Sequence, residues 1–447
     1  MNLSTKKLLV LLACCGTLLL AGCKGHSTTN YTISVTVSGL IGSGLVLQDT
    51  QINNVIDNLS INSNGVYTFT NQVANNASYS VAIITTPNLP PQTCTLSNAT
   101  GTATANVTNI TVVCLAPEFA YVTNSGSNSI ASYVINSANG ALTSAGSATN
   151  TGSTPTALAI NSTGRYAYVV NSSGSSIAAY LGNLTNGSLV ATGTPLALGY
   201  SANALVVDTT SQFVFATNAS ANMVTSYKIN IVQGSSGLGT ISALASMATG
   251  IAPSAITVAT VSGAEYLYVT NQTGATVSAY VVNTSTGGLT ATTGATTGVA
   301  PVALAAAPNG QYVYVVNASD ATVSSYSVTP ASGALTPVAA AVTTGGTNPV
   351  AIAVAPKGNF VYVANAGTST VTAYSSAAGV LTNVGVVANG SVPSAISVDP
   401  SGSFVYVANA SANSISLYQI NATTGALSGP STILVGSGPI SVMTLAQ

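Results

Sequence analysis

Six copies of the tetrapeptide Tyr-Val-x-Asn recur in register through this 447-residue chain, and Phe215-Ala216-Thr217-Asn218 is a seventh, variant copy. The asparagines are Asn124, Asn171, Asn218, Asn271, Asn317, Asn365 and Asn409, and a tyrosine follows each one nine residues later, from Tyr133 to Tyr418. Successive asparagines lie 44 to 53 residues apart, the period of a repeated four-stranded unit. The sixth unit shows the pattern in full: Pro349–Val354, Phe360–Asn365, Thr370–Tyr374 and Gly379–Leu381 are four short runs, mostly alternating, separated by turns. Such a unit reads as one propeller blade.

The ends of the chain predict how the units assemble. Leading strands begin at Pro155, Ala202, Pro253, Pro301, Pro349 and Pro393, but the first unit, opening at Glu118, has none before it. The chain finishes with Pro439–Thr444, a leading strand with no unit after it. The two halves complete one blade and close a ring of seven without an open sheet edge. An open solenoid would need capping repeats instead. The expected fold is all-β, with residues 116–447 as a closed seven-bladed β-propeller.

Tyr-Val-Thr-Asn at 121–124 and 268–271, Tyr-Val-Ala-Asn at 362–365 and 406–409, and the Pro-x-Ala-Ile leads resemble the YVTN-type repeats of the lactonase-like seven-bladed propeller family. The resemblance spans about 118–447 and implies the fold. The family combines 6-phosphogluconolactonase-like enzymes with surface and periplasmic proteins of unassigned role. Its enzymatic members are expected to use His, Glu and Arg around the central channel, and no set of positions here supplies those three.

Charged residues make up 3% of the chain and the formal net charge is −1. A typical soluble domain carries about 25%. Electrostatic steering of a charged ligand is therefore excluded, and so is nucleic acid, which demands many phosphate-neutralising cations. The propeller's charged residues are Glu118, Arg165, Asp208, Lys228, Glu265, Asp320, Lys357 and Asp399. They scatter over the blades, with no pair of carboxylates expected to converge on the channel. Asp208 and Asp399 read as turn starters. Asp320, alone in the loop after Asn317, is the weak candidate for a general base. No catalytic, cofactor-binding or metal-binding residue is assigned, and the only histidine, His26, lies far from the repeats.

Residues 1–22 read as a signal peptide, with Lys6 and Lys7 before an apolar stretch, Leu8–Leu20, too short to span a bilayer. The stretch ends in Leu20-Ala21-Gly22-Cys23, which resembles a bacterial lipobox and implies lipidation of Cys23. Residues 23–30 are then a lipidated tether, and Lys24 favours the outer membrane or cell surface. Cys94 and Cys114 remain as an even pair in an oxidising compartment, so a disulfide is expected between them. Around them, residues 31–115 show about seven short β-runs broken by turn signals, a small β-sandwich.

The function expected from these residues is a lipid-anchored, non-enzymatic binding or scaffolding module for a protein or polysaccharide. The repeat asparagines and tyrosines are expected to be structural, each asparagine bonding turn backbone and each tyrosine packing between blades with its hydroxyl near solvent. The alternatives are a 6-phosphogluconolactonase-like hydrolase of sugar lactones and a structural spacer of the cell envelope.

Overall fold

The computed structural model describes residues 29–51, 55–87 and 92–446. The segment read as a signal peptide, the expected lipidation site Cys23, and His26 lie outside the described residues. The first module is a pair of four-stranded sheets. One runs Gly65–Thr68, Ile33–Ser38, Val107–Leu115, Thr93–Ser97, and the other runs Ile56–Ile61, Leu45–Thr50, Ser78–Thr85, Thr100–Thr102. Alternate residues of the central strands, among them Val35, Val37, Leu45, Leu47, Ile110 and Val112, face inward and form one core. The short strand Thr100–Thr102 was not legible in the sequence, because three residues carry too little alternation. Ile33–Ser38 and Val107–Leu115 pair in parallel. Such a pairing needs a long connection, and the intervening strands supply it.

Cys94 and Cys114 stand opposite one another on adjacent antiparallel strands and are bonded, with their Cα atoms 4.0 Å apart. The closed loop of 20 residues stabilises this module by roughly 3 kcal/mol in the chain-entropy view. Gln92 ties the module to the exit of the chain. Its Oε1 accepts the amides of Ile41 and Gly42, and its Nε2 donates to the carbonyls of Gly39 and Leu115.

From Glu118 onward the chain forms seven antiparallel sheets, six of them built in strict chain order from inner to outer strand. Blade 2, for example, is Pro155–Ile160, Tyr166–Asn171, Ser176–Gly182 and Leu189–Ala197. Blade 1 is the exception. Its second strand, Glu118–Asn124, pairs on its inner side with the C-terminal strand Pro439–Ala446, in the register Glu118 to Ala446 and Val122 to Val442. Each inner strand packs beside the next, and Pro439–Ala446 packs beside the inner strands of blades 7 and 2, so the ring closes.

Burial follows the radius of the disc more than the alternation read from the sequence. Second strands such as Phe360–Asn365 are buried at every residue, because a neighbouring blade covers each face. Outer strands such as Ile241–Ala248 are mostly exposed. The apolar content of each blade is therefore concentrated in its second strand, where Tyr, Val and Phe suit a pleated surface covered on both sides.

Candidate functional site

The repeated tyrosines link blades to their neighbours. Tyr180, Tyr280, Tyr326, Tyr374 and Tyr418 donate their hydroxyls to outer-strand carbonyls of the preceding blade, at Asn150, Ala248, Thr296, Thr343 and Ala388. The tyrosines that open the tetrapeptides reach the other way. Tyr168, Tyr268, Tyr362 and Tyr406 donate to the carbonyls of Gly239, Gly333, Gly425 and Gly140 in the following blade, at 2.7 to 3.0 Å. The bond from Tyr406 to Gly140 joins blade 7 to blade 1. The expectation that these hydroxyls lie near solvent is thus corrected: burial raises the pKa of both sets, so the phenols stay protonated and act as fixed donors.

The asparagines are likewise structural, with one correction. In four blades the amide donates to two hydroxyls on the third strand and not to turn backbone. Asn317 Nδ2 reaches Thr322 at 3.0 Å and Ser324 at 2.9 Å, and Asn271, Asn365 and Asn409 repeat the arrangement. Only Asn171 and Asn218 accept turn backbone amides, from Gly152 and Ala221. Glycine is required beside these amides, since a Cβ on Gly250 would lie 2.6 Å from Asn271 Nδ2.

The two faces of the disc differ. The hairpin turns between inner and second strands, with the strand ends next to them, carry Glu118, Arg165, Asp208, Lys228, Glu265, Lys357 and Asp399. The opposite face is built of the loops that follow the repeat asparagines and the turns that connect successive blades. Of the propeller's charged residues it carries only Asp320.

On the charged face the carboxylates come together in pairs, which the sequence reading did not foresee. Glu118 lies beside Asp399, and Glu265 beside Asp208. Asp399 and Asp208 are fully or almost fully buried and cap their own turns. Asp208 Oδ1 accepts the amides of Gln212 and Phe213 at 2.8 and 2.7 Å, and Asp399 Oδ1 accepts those of Ser403 and Phe404 at 2.8 and 2.6 Å. This is the turn-starting role expected of them. Glu265 accepts the amide and hydroxyl of Thr209, with Oγ1 at 2.7 Å. Burial still raises its pKa, and Asp208 adds to the rise.

Glu118 is the carboxyl with least support. One of its oxygens, Oε2, is buried without a partner. Burial, and then the charge of Asp399, push its pKa up to about 7. It also borders a cavity of about 260 Å³ between the sandwich and the propeller, walled by Leu115, Phe119, Val134 and Ile135 with Gln92 and Asn186 at its edge. A signal for these pairs existed in the sequence. Glu118 and Glu265 both sit six residues before their asparagines, and Asp208 and Asp399 both sit ten before theirs. Packing of successive blades brings the first position of one blade against the second position of the blade before it, across the closing seam in the case of Glu118 and Asp399.

Asp320 is not placed as a base. Its Oδ2 accepts the Val299 amide at 2.5 Å, which closes the turn between blades 4 and 5. Among the described residues, no group of three or more His, Cys, Asp or Glu is arranged to hold a metal ion, and no helix is long and apolar enough to cross a membrane. The Asn218-Ala219-Ser220 and Asn409-Ala410-Ser411 triplets present buried asparagines, unsuited to accept a glycan.

No curated protein matches this chain. Solved structures do. A protein from Lactobacillus plantarum superposes with a TM-score of 0.63 at 23% identity, covering 74% of this chain and 100% of that one. A putative 6-phosphogluconolactonase from Bacteroides fragilis gives 0.64 at 19% identity, with 74% and 98% covered. The periplasmic gluconolactonase of Pseudomonas aeruginosa gives 0.62 at 17%, with 74% and 99% covered. At these identities the likeness is one of fold. The family described as lactonase, seven-bladed β-propeller, matches residues 88–204, 204–351 and 296–444, and with its seven sheets and closing C-terminal strand the chain belongs to that family.

Proposed function

We propose that this protein is a lipid-anchored binding module of the cell envelope, which holds a protein or polysaccharide on the loop face of its propeller. The observation that carries the reading is the division of charge between the two faces. Arg165, Lys228 and Lys357 share one face with four of the five propeller carboxylates, and of those four only Glu118 is left without full structural support. The other face is a neutral surface of Ser, Thr, Gly and Asn turns, suited to short-range hydrogen bonding.

A second reading, hydrolysis of sugar lactones, has its own support. Family membership favours it more directly than it favours binding, and so does Glu118, half-ionised near pH 7 beside a cavity, as a general base would be. One experiment separates the two. The purified chain is assayed against glucono-1,5-lactone in a pH-stat and then screened against glycan and envelope-protein arrays. Binding without turnover is the expected outcome. Turnover above the spontaneous rate that disappears in Glu118→Gln would replace the first reading by the second.

The anchor is tested separately by membrane fractionation. Cys23→Ser is expected to move the chain wholly into the soluble fraction, and a variant that stays with membranes would remove the lipid from this proposal.

A further inference from the structure

Whatever is specific to this propeller must lie where the repeat is broken, and one position of the loop face breaks it in a single run of junctions. The residue two positions before each leading strand projects from the turn between blades. It is a small hydroxyl at four of the seven junctions: Ser153, Thr347, Ser391 and Ser437. At the three consecutive junctions from blade 2 to blade 5 it is Tyr200, Ile251 and Val299.

Ile251 is 58% exposed and Val299 is 55% exposed. Their turns have the same backbone form, with Ala252 and Ala300 next in line at φ 58° and 56°, so the two side chains leave adjacent blades in the same way. Tyr200 is set in a different turn, which bends at Gly199 (φ 73°). Its ring packs against the blade 2–3 core, and its hydroxyl is 2.7 Å from that of Tyr227. The fold does not call for apolar groups here, because serine and threonine serve the other junctions. Single exposed aliphatics need no explanation, but here two stand at equivalent points of adjacent junctions where four other junctions carry a hydroxyl.

The same arc holds the face's only propeller carboxylate. Asp320 is exposed and lies against Val299 through the bond to its amide. The charge is not needed for that bond. In blade 6 the corresponding Thr368 hydroxyl accepts the Thr347 amide at 3.3 Å.

We propose that the arc Tyr200–Ile251–Val299–Asp320 is a docking surface for a partner protein, and that it takes an extended segment with two or more apolar side chains followed by a lysine or arginine. This inference rests on the binding reading above and names the partner's chemistry. Aliphatic tips ending in one carboxylate complement an apolar segment ending in a cation. A polysaccharide would be expected to need an exposed aromatic platform, and the repeat tyrosines are buried apart from half-buried Tyr133. An exposed ion pair adds little affinity, so Asp320 sets direction and preference more than strength.

The test uses the full chain and fluorescent twelve-residue peptides with a Leu-Ala core and Lys, Gln or Glu at one end, read by polarisation. The Lys peptide is expected to bind best. Ile251→Ser with Val299→Ser should weaken it at least tenfold while the fold, checked by circular dichroism, is kept, since serine occupies this position naturally at three other junctions. Asp320→Asn retains the acceptor for the Val299 amide and should erase the preference for Lys over Glu. Ser437→Ala, on the far arc, should change neither. Absence of binding by every peptide, or equal binding by wild type and the double serine variant, overturns the proposal. A ligand from the glycan and protein arrays that binds the loop face but ignores these substitutions also overturns it, and leaves the binding reading standing.

Discussion

A chain lacking residues 439–447 is expected to lose the cooperative unfolding transition of its propeller. The strand Pro439–Ala446 supplies the inner quarter of blade 1, and among the described residues nothing else covers the same edge. Val442 enters the core between blades 7 and 1, and Met443 and Leu445 pack on Phe119 and Tyr121 between blades 1 and 2. Burial of these side chains, with part-buried Ile440, contributes on the order of 5 kcal/mol, comparable to the whole net stability of many domains. Removal would also leave Glu118–Asn124 as an open edge with unpaired amides and carbonyls, a template for association between molecules. The measurement is thermal unfolding followed by circular dichroism, with size-exclusion chromatography for aggregation. A truncated chain that melts as a monomer at the full-length temperature would show that the ring does not depend on its closing strand.

Glu118→Gln is expected to change how stability depends on pH. The folded pKa of Glu118, about 7, lies above its ordinary value of 4.5, because burial and then Asp399 disfavour the charged form. The folded state therefore holds this proton more tightly than the unfolded state. The contribution is fully present below about pH 4.5 and is lost as pH rises through 7. The titratable groups facing Glu118 are Asp399 and, across the seam, the Tyr406 phenol, which stays neutral throughout this range. Allowing for screening at a half-buried site, the loss is about 1–2 kcal/mol. In a propeller of this size that is a few degrees in Tm. Wild type should melt several degrees lower at pH 8 than at pH 5.5 relative to the variant, whose neutral amide cannot ionise. Parallel melting curves for the two proteins across pH 5 to 8 would contradict the assignment. Asp399→Asn should move the wild-type transition to lower pH, since the second cause of the shift is then gone.

The legible part of this fold was the repeat. Tyr-Val-x-Asn marks a strand buried on both faces and the turn that ends it, and both properties are local. The leading strand left over at Pro439 could be matched to the blade lacking one, because a closed ring satisfies every edge. The disulfide was legible from the count of cysteines, and the cross-strand register of Cys94 with Cys114 agrees with it. The tyrosine hydroxyls were misread, since a phenol's partner here is a carbonyl more than thirty residues away in another blade. The carboxylate pairs were missed for a similar reason. Glu118 and Asp399 are at opposite ends of the propeller sequence and meet only where the ring shuts.

Taken alone, the sequence determined the number of blades, the strand content and the ring, because hydrophobic period and turn chemistry act over a few residues and then repeat. Only the tertiary structure decided which side chains face one another between blades. Closure sets Glu118 against Asp399, aligns Ile251 with Val299 on one arc, and divides the charges between two faces. Those relations depend on the angle between successive blades, which no single repeat encodes.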